Sequence, residues 1–157
     1  MLFRSVRAMP NTPAMVGEGM TGLSWSDDDF SESERTELMQ FFTSFGKAET
    51  VPENLMDAVT AASGSSPAFI YMMIEALADG VVKYGMPRDK AYTFVSQAVL
   101  GSAKMVLETG EHPGLLKDNV CSPGGTTIAA VAELEASGFR SSLIKAASAV
   151  CDRCRNM

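Results

Sequence analysis

The spacing of apolar positions changes character near residue 52. Before it, short alternating runs predict strands at Val6-Arg7-Ala8-Met9, stopped by Pro10-Asn11-Thr12-Pro13, and at Met20-Thr21-Gly22-Leu23-Ser24-Trp25. A helix follows. Ser31 and Glu34 form an S-x-x-E capping box, Leu38, Phe41, Phe42 and Phe45 recur at i, i+3, i+4 and i+7, and Gly46 stands where a left-handed residue would end the helix. Lys47 to Val51 predicts one more strand before Pro52. Strand, strand, helix, strand is the tail of an α/β unit.

From Pro52 onward the period becomes helical. Leu55, Val59 and Ala62 share one face of a helix that Ser63-Gly64-Ser65-Ser66-Pro67 is expected to interrupt. Pro67 suits a first helical position behind a Ser66 cap, and Phe69 or Ile70, Met73, Leu77 and Val81 carry the next stripe to Gly85. Pro87 opens a helix through Ala91, Phe94, Val95, Ala98, Val99, Ser102, Met105 and Val106, ended by Gly110. A loop is expected from Glu111 to Gly125, then helices over about Thr127 to Ser137, stopped by Gly138, and about Arg140 to Arg155. The two middle helices are apolar on more than one face. In so small a domain, that implies a second subunit covering them. The architecture predicted is mainly α, with residues 1–52 a partial α/β remnant and 53–157 an all-helical domain.

Composition narrows the function. The chain has 157 residues, of which 46% are hydrophobic and 20% charged, which is enough for an ordinary globular core. A net charge of −6 argues against nucleic acid, whose binding rests on clustered Lys and Arg. No run nears the ~20 apolar residues that cross a bilayer, so no membrane partner is expected. Met1-Leu2-Phe3-Arg4 lacks the apolar core of a secretory signal, and three cysteines are an odd set; a soluble cytoplasmic protein with reduced thiols is the expectation.

Several motifs offer chemistry. Gly17-Glu18-Gly19-Met20-Thr21-Gly22 matches G-x-G-x-x-G, but a turn precedes it and an alternating run and the acidic turn Asp27-Asp28-Asp29 follow, so no helix N-terminus is there to hold pyrophosphate. Ser122-Pro123-Gly124-Gly125-Thr126-Thr127 runs straight into a helix. Its backbone N–H groups, the hydroxyls of Ser122, Thr126 and Thr127 and the positive helix end can converge on a carboxylate or phosphate. Ser63 to Pro67 has the same construction, and the plainer reading of both is two capped helices. His112 is the only histidine, which excludes a His-based metal cluster or a Ser-His-Asp triad within the chain. Cys151-x-x-Cys154 has zinc-like spacing without a second pair, so a packed Cys151 and a half-exposed Cys154 are expected.

Val6-Arg7-Ala8-Met9-Pro10-Asn11-Thr12-Pro13, Asp57 to Phe69, Glu75-Ala76-Leu77-Ala78-Asp79-Gly80, His112 to Thr127 and Gly138-Phe139-Arg140 together resemble pyrroline-5-carboxylate reductase, in order along the chain. The resemblance implies hydride transfer from NADPH or NADH to the imine carbon of 1-pyrroline-5-carboxylate, giving L-proline. It implies an N-terminal Rossmann domain followed by a helical dimerisation domain of the 6-phosphogluconate-dehydrogenase-like C-terminal type, in a homodimer or an oligomer of dimers. Carried over residue by residue, Ser122, Gly124, Gly125, Thr126 and Thr127 would hold the substrate carboxylate. Pro10, Asn11, Ser63, Gly64 and Pro67 would line the cofactor site, with Thr60, Ser65 and Thr127 at the reacting centre. Ser66 departs from the glycine more usual at its position. The family's dinucleotide fingerprint belongs before Arg4 and has no counterpart, so the expectation is a C-terminal part of the enzyme, nearly inactive alone. A non-catalytic dimerisation module that binds small carboxylates is the alternative.

Overall fold

A computed structural model describes residues 4–26 and 29–156; Met1 to Phe3, and Asp27 and Asp28 of the acidic turn, lie outside the described residues. The chain is mainly helical with one three-stranded sheet. It divides into two compact units, the first running up to Phe69 and resuming at Ile144, the second spanning Ile70–Leu143.

In the first unit, β1 (Arg7–Met9), β2 (Gly19–Ser24), α1 (Glu32–Thr43) and β3 (Gly46–Thr50) follow the predicted order. β2 is the middle strand, antiparallel to β1 with Ala8 opposite Leu23, and parallel to β3 with Thr21 opposite Ala48. Parallel neighbours need a crossover, and α1 supplies it. Side chains alternate along β2, so Thr21 and Leu23, both fully buried, share one face and Gly22 the other. A Cβ on Gly22 would lie 2.4 Å from Val59 Cγ1. This glycine is what lets the first helix after Pro52 lie against the sheet.

The capping box forms. Glu34 N–H donates to Ser31 Oγ at 3.3 Å, and Ser31 N–H donates to Glu34 Oε2 at 2.8 Å. The Ser31 backbone N–H, the Arg4 guanidinium and the Ser31 hydroxyl hold the Glu34 carboxyl down to about 2. The end of this helix corrects the sequence reading. α1 stops at Thr43, and Phe45 lies beyond it, although it still stacks edge-on with Phe41 and Phe42 at 5.7 and 6.0 Å. Gly46 is no helix terminator either. It opens β3 at φ +151, where a Cβ would sit 2.1 Å from the Gly19 carbonyl oxygen, so it is required by strand approach.

The expected break at Ser63 to Pro67 is also corrected. A 3₁₀ turn (Glu53–Leu55), α2 (Met56–Val59), a π turn (Thr60–Gly64) and α3 (Ser66–Val82) follow with Ser65 as the one residue between turn and helix. Ser66 is the first residue of α3, not its cap, and its hydroxyl donates back to the Ala62 carbonyl at 2.7 Å. The cause of the π turn is Pro67. Its ring would collide with the carbonyl four residues back, and a wider turn relieves that.

The second unit holds the rest of α3, α4 (Arg88–Thr109), α5 (Pro113–Val120), α6 (Thr126–Ala136) and the start of α7 (Phe139–Arg155). α5 occupies what the sequence suggested was a loop; Pro113 sits at its first turn, and His112 Nδ1 accepts the Gly114 N–H at 3.0 Å as its cap. Gly110 ends α4 at φ +67. The fully buried Ala78 and Ala91 and the Arg88–Asp79 ion pair join α3 to α4. Elsewhere these helices are bare. Met72, Phe94 and Leu107 are each about two-thirds exposed, and Met73, Leu77, Val81, Val95, Val99 and Val106 line an apolar groove of about 540 Å³. Among the described residues no helix is long and apolar enough to cross a membrane.

Candidate functional site

The first unit brings Pro10, Asn11, Thr60, Ser63, Gly64, Ser65 and Pro67 to one neighbourhood, where β1 ends against the π turn. Asn11 makes the join. Its Oδ1 accepts the Met20 N–H at 2.9 Å, and its Nδ2 donates to the Ser63 carbonyl at 3.1 Å. Ser63 is four residues before Pro67, which has no N–H to offer, so the Asn11 amide supplies the donor that the helix lacks. Sequence reading placed both residues at the site without this link. The signal that would have found it is a proline four positions after a carbonyl, facing an asparagine from a distant turn.

The π turn is closed by the Ser65 N–H donating to the Thr60 carbonyl at 2.8 Å. Most of its hydroxyls are spent internally: Thr60 Oγ1 donates to the Met56 carbonyl at 3.0 Å and Ser63 Oγ to the Val59 carbonyl at 3.1 Å. The half-buried Ser65 hydroxyl has no hydrogen-bond partner among the described residues. A Cβ on Gly64 would meet Met9 Sδ at 3.4 Å, an ordinary contact, so packing within this unit does not demand glycine there. π turns inside helices occur disproportionately at functional sites.

Ser122, Gly124 and Gly125 lie between α5 and α6 in the second unit, and Thr126 and Thr127 open α6. The Gly125 N–H donates to the Ser122 carbonyl at 3.0 Å, Gly124 turns at φ +68, and a Cβ on Gly125 would stand 2.6 Å from Ser122 Oγ. Gly124 is therefore dictated by the turn, whereas at Gly125 a side chain would only have to displace the Ser122 hydroxyl and crowd the Ser122 carbonyl oxygen at 3.1 Å. What the turn does not provide is a cap. Gly125 holds the N-cap position with no side chain accepting from the helix, and the N–H groups of Thr126 and Thr127 have no intrahelical acceptor. α1 and α5 are capped by Ser31 and His112, whereas α4, behind Pro87, also starts without a side-chain cap. An uncapped helix start ringed by three hydroxyls presents N–H donors and positive dipole to an anion.

Gly17 to Gly22 contributes no phosphate cradle. Gly17 is a left-handed turn residue, and Gly19 and Gly22 are strand residues of β2. Among the described residues no group of three or more His, Cys, Asp or Glu side chains could hold a metal ion.

Compared with known families, residues 53–157 match pyrroline-5-carboxylate reductase dimerisation. The chain belongs to the pyrroline-5-carboxylate reductase family. The pyrroline-5-carboxylate reductase of Escherichia coli K12 is 55% identical over 141 residues, which cover 90% of this chain and 52% of the relative. That of Glycine max is 48% identical over 154 residues, covering 98% and 56%. The chain spans about half the length of these curated relatives. Among solved structures, the pyrroline-5-carboxylate reductase of Coxiella burnetii superposes with a TM-score of 0.91 at 36% identity, over 98% of this chain and 57% of that one. The pyrroline carboxylate reductase of Plasmodium falciparum, solved with NADP bound, gives 0.88 at 35% identity, covering 96% and 60%.

Proposed function

We propose that this chain is the substrate-binding and dimerisation half of a cytoplasmic pyrroline-5-carboxylate reductase, which reduces the imine of 1-pyrroline-5-carboxylate to L-proline with NADPH or NADH. Residues 1–52 belong on this reading to the cofactor domain and 53–157 to the helical domain. The observation that carries it is the uncapped start of α6, with glycines at the turn and hydroxyls of Ser122, Thr126 and Thr127 around it.

A cyclic imino acid presents an anion and an electrophilic carbon at fixed separation. The carboxylate takes the N–H groups of Thr126 and Thr127 and the hydroxyls beside them, as carboxylates do at helix starts. The iminium form is already electrophilic, so what the protein adds is orientation of the imine carbon toward the donor, and no nucleophile or strong base is required. Thr60 and Ser65 are the residues proposed for the reacting centre, the Ser65 hydroxyl being unspent within its unit and the Thr60 oxygen keeping its lone pairs. The bound nicotinamide supplies the hydride. Pro10, Asn11, Ser63, Gly64 and Pro67 would hold its ring end, Gly64 being a position where packing against Met9 and Thr60 does not itself demand glycine; the described residues do not fit its pyrophosphate.

The bare apolar faces of α3 and α4 bury against the same helices of a second copy, giving a homodimer. The test is steady-state NADPH oxidation by the full-length protein that contains this chain, with 1-pyrroline-5-carboxylate as acceptor. Turnover that yields proline supports the proposal. Binding of a proline analogue without turnover leaves a carboxylate-binding dimerisation module instead.

A further inference from the structure

Cys151 and Cys154 have no part in the site. They lie three positions apart on the last turns of α7, hence on one face, and both are half-buried free thiols. That face packs within the first unit. Cys151 donates its S–H to the Asp57 carbonyl at 3.7 Å, on α2 and three residues ahead of Thr60. With no third or fourth ligand beside them among the described residues, the two sulfurs are placed for thiol chemistry, not for zinc.

We propose that Cys151 and Cys154 form a thiol–disulfide site, oxidised by small disulfides of the glutathione class to an intrachain bond that releases the end of α7 from α2. Cys154, nearer the helix end and without the hydrogen bond that holds Cys151, loses its proton and attacks the disulfide, breaking its S–S bond and expelling one glutathione thiolate. Cys151 then attacks the Cys154 sulfur and expels the second. The protein loses two protons and two electrons, and one oxidised glutathione becomes two reduced molecules. Helical cysteines three apart hold their Cβ atoms ~5–6 Å from each other, whereas a disulfide needs ~3.5–4.5 Å. Closure therefore unwinds the last turn. Helix ends yield most readily, and Cys154 precedes the last helical residue, Arg155. Oxidation also removes the S–H that reaches Asp57, so the contact ahead of the π turn is lost in the same event.

The experiment needs no activity reading, and so fails or succeeds apart from the reductase proposal. The full-length protein is equilibrated across ratios of oxidised to reduced glutathione, its remaining thiols are alkylated, and it is cut after lysine. The fragment that begins at Ala146 holds both cysteines and excludes Cys121. The expected result is a fragment lighter by two hydrogens and closed to alkylation, with hydrogen exchange at residues 57–64 faster on oxidation in the wild type. In Cys151→Ser, which removes the resolving thiol, the fragment should carry a single glutathione adduct, on Cys154. A fragment that stays a dithiol, takes two adducts, or bridges two copies on a non-reducing gel overturns the proposal, as does unchanged exchange at residues 57–64.

Discussion

Replacing Asn11 and Pro67 singly and together tests whether the asparagine amide stands in for the missing proline N–H. Asn11→Ala strips a donor from the Ser63 carbonyl and an acceptor from the Met20 N–H, both part-buried. Two neutral hydrogen bonds at ~0.5–1.5 kcal/mol each give a loss of about 2 kcal/mol. Pro67→Ala returns an N–H four residues after Ser63, which can close the α-helical bond, so in that background the Asn11 amide is redundant at Ser63 and only the Met20 bond is lost, ~1 kcal/mol. The cycle should therefore show a coupling of about 1 kcal/mol, above the ~0.3–0.5 kcal/mol scatter of independent sites. Urea denaturation of the full-length protein gives these values, at one fixed protomer concentration because a dimer's stability depends on it. Strict additivity, or a loss under ~0.5 kcal/mol for Asn11→Ala, would refute the substitution of one donor for the other.

Other consequences follow from single residues. Gly46→Ala should cost more than ~2 kcal/mol in the same denaturation assay, because its methyl has only the Gly19 backbone to move against and its φ is strained. The Glu34 carboxyl, held down to about 2 from 4.5, contributes to α1 only while ionised. That contribution is complete above about pH 4.5 and is lost as pH falls toward about 2, so Glu34→Gln should flatten the acid side of the stability profile, read by circular dichroism. Gly64→Ala should leave stability unchanged or raise it by ~0.5–1 kcal/mol, since the position is helical with ordinary contact to Met9, while lowering kcat/KM through crowding of the nicotinamide.

Much of the fold is legible because it is local. The Ser31–Glu34 box, the stripes of α3 and α4 and the glycine at residue 110 are decided by neighbours within a few positions. What escaped depends on distant groups. Gly46 looks like a helix terminator until β2 is laid beside it, and the Ser63 to Pro67 run looks like a loop because clustered serine and glycine do not announce that Asn11 will supply the missing donor. α5 was hidden for a local reason instead, since His112-Pro113-Gly114 is loop-like until the imidazole is seen accepting the Gly114 N–H two residues on. At the proposed site, the hydroxyl-rich loop before α6 is plain in the sequence, but its lack of a cap is visible only in the structure, where Ser122 turns to the glycine side and not to the helix.

The central claim is that the open start of α6 recognises a carboxylate attached to a reducible imine. Its most direct test is the ratio of kcat/KM for 1-pyrroline-5-carboxylate to that for the same ring without its carboxylate, in the full-length protein and in Thr127→Val. A large preference for the carboxylated imine, reduced about tenfold or more by the single substitution, is the predicted result, matching the ~1.5–3 kcal/mol of a hydrogen bond to a charged group. Equal ratios in the two proteins would contradict it.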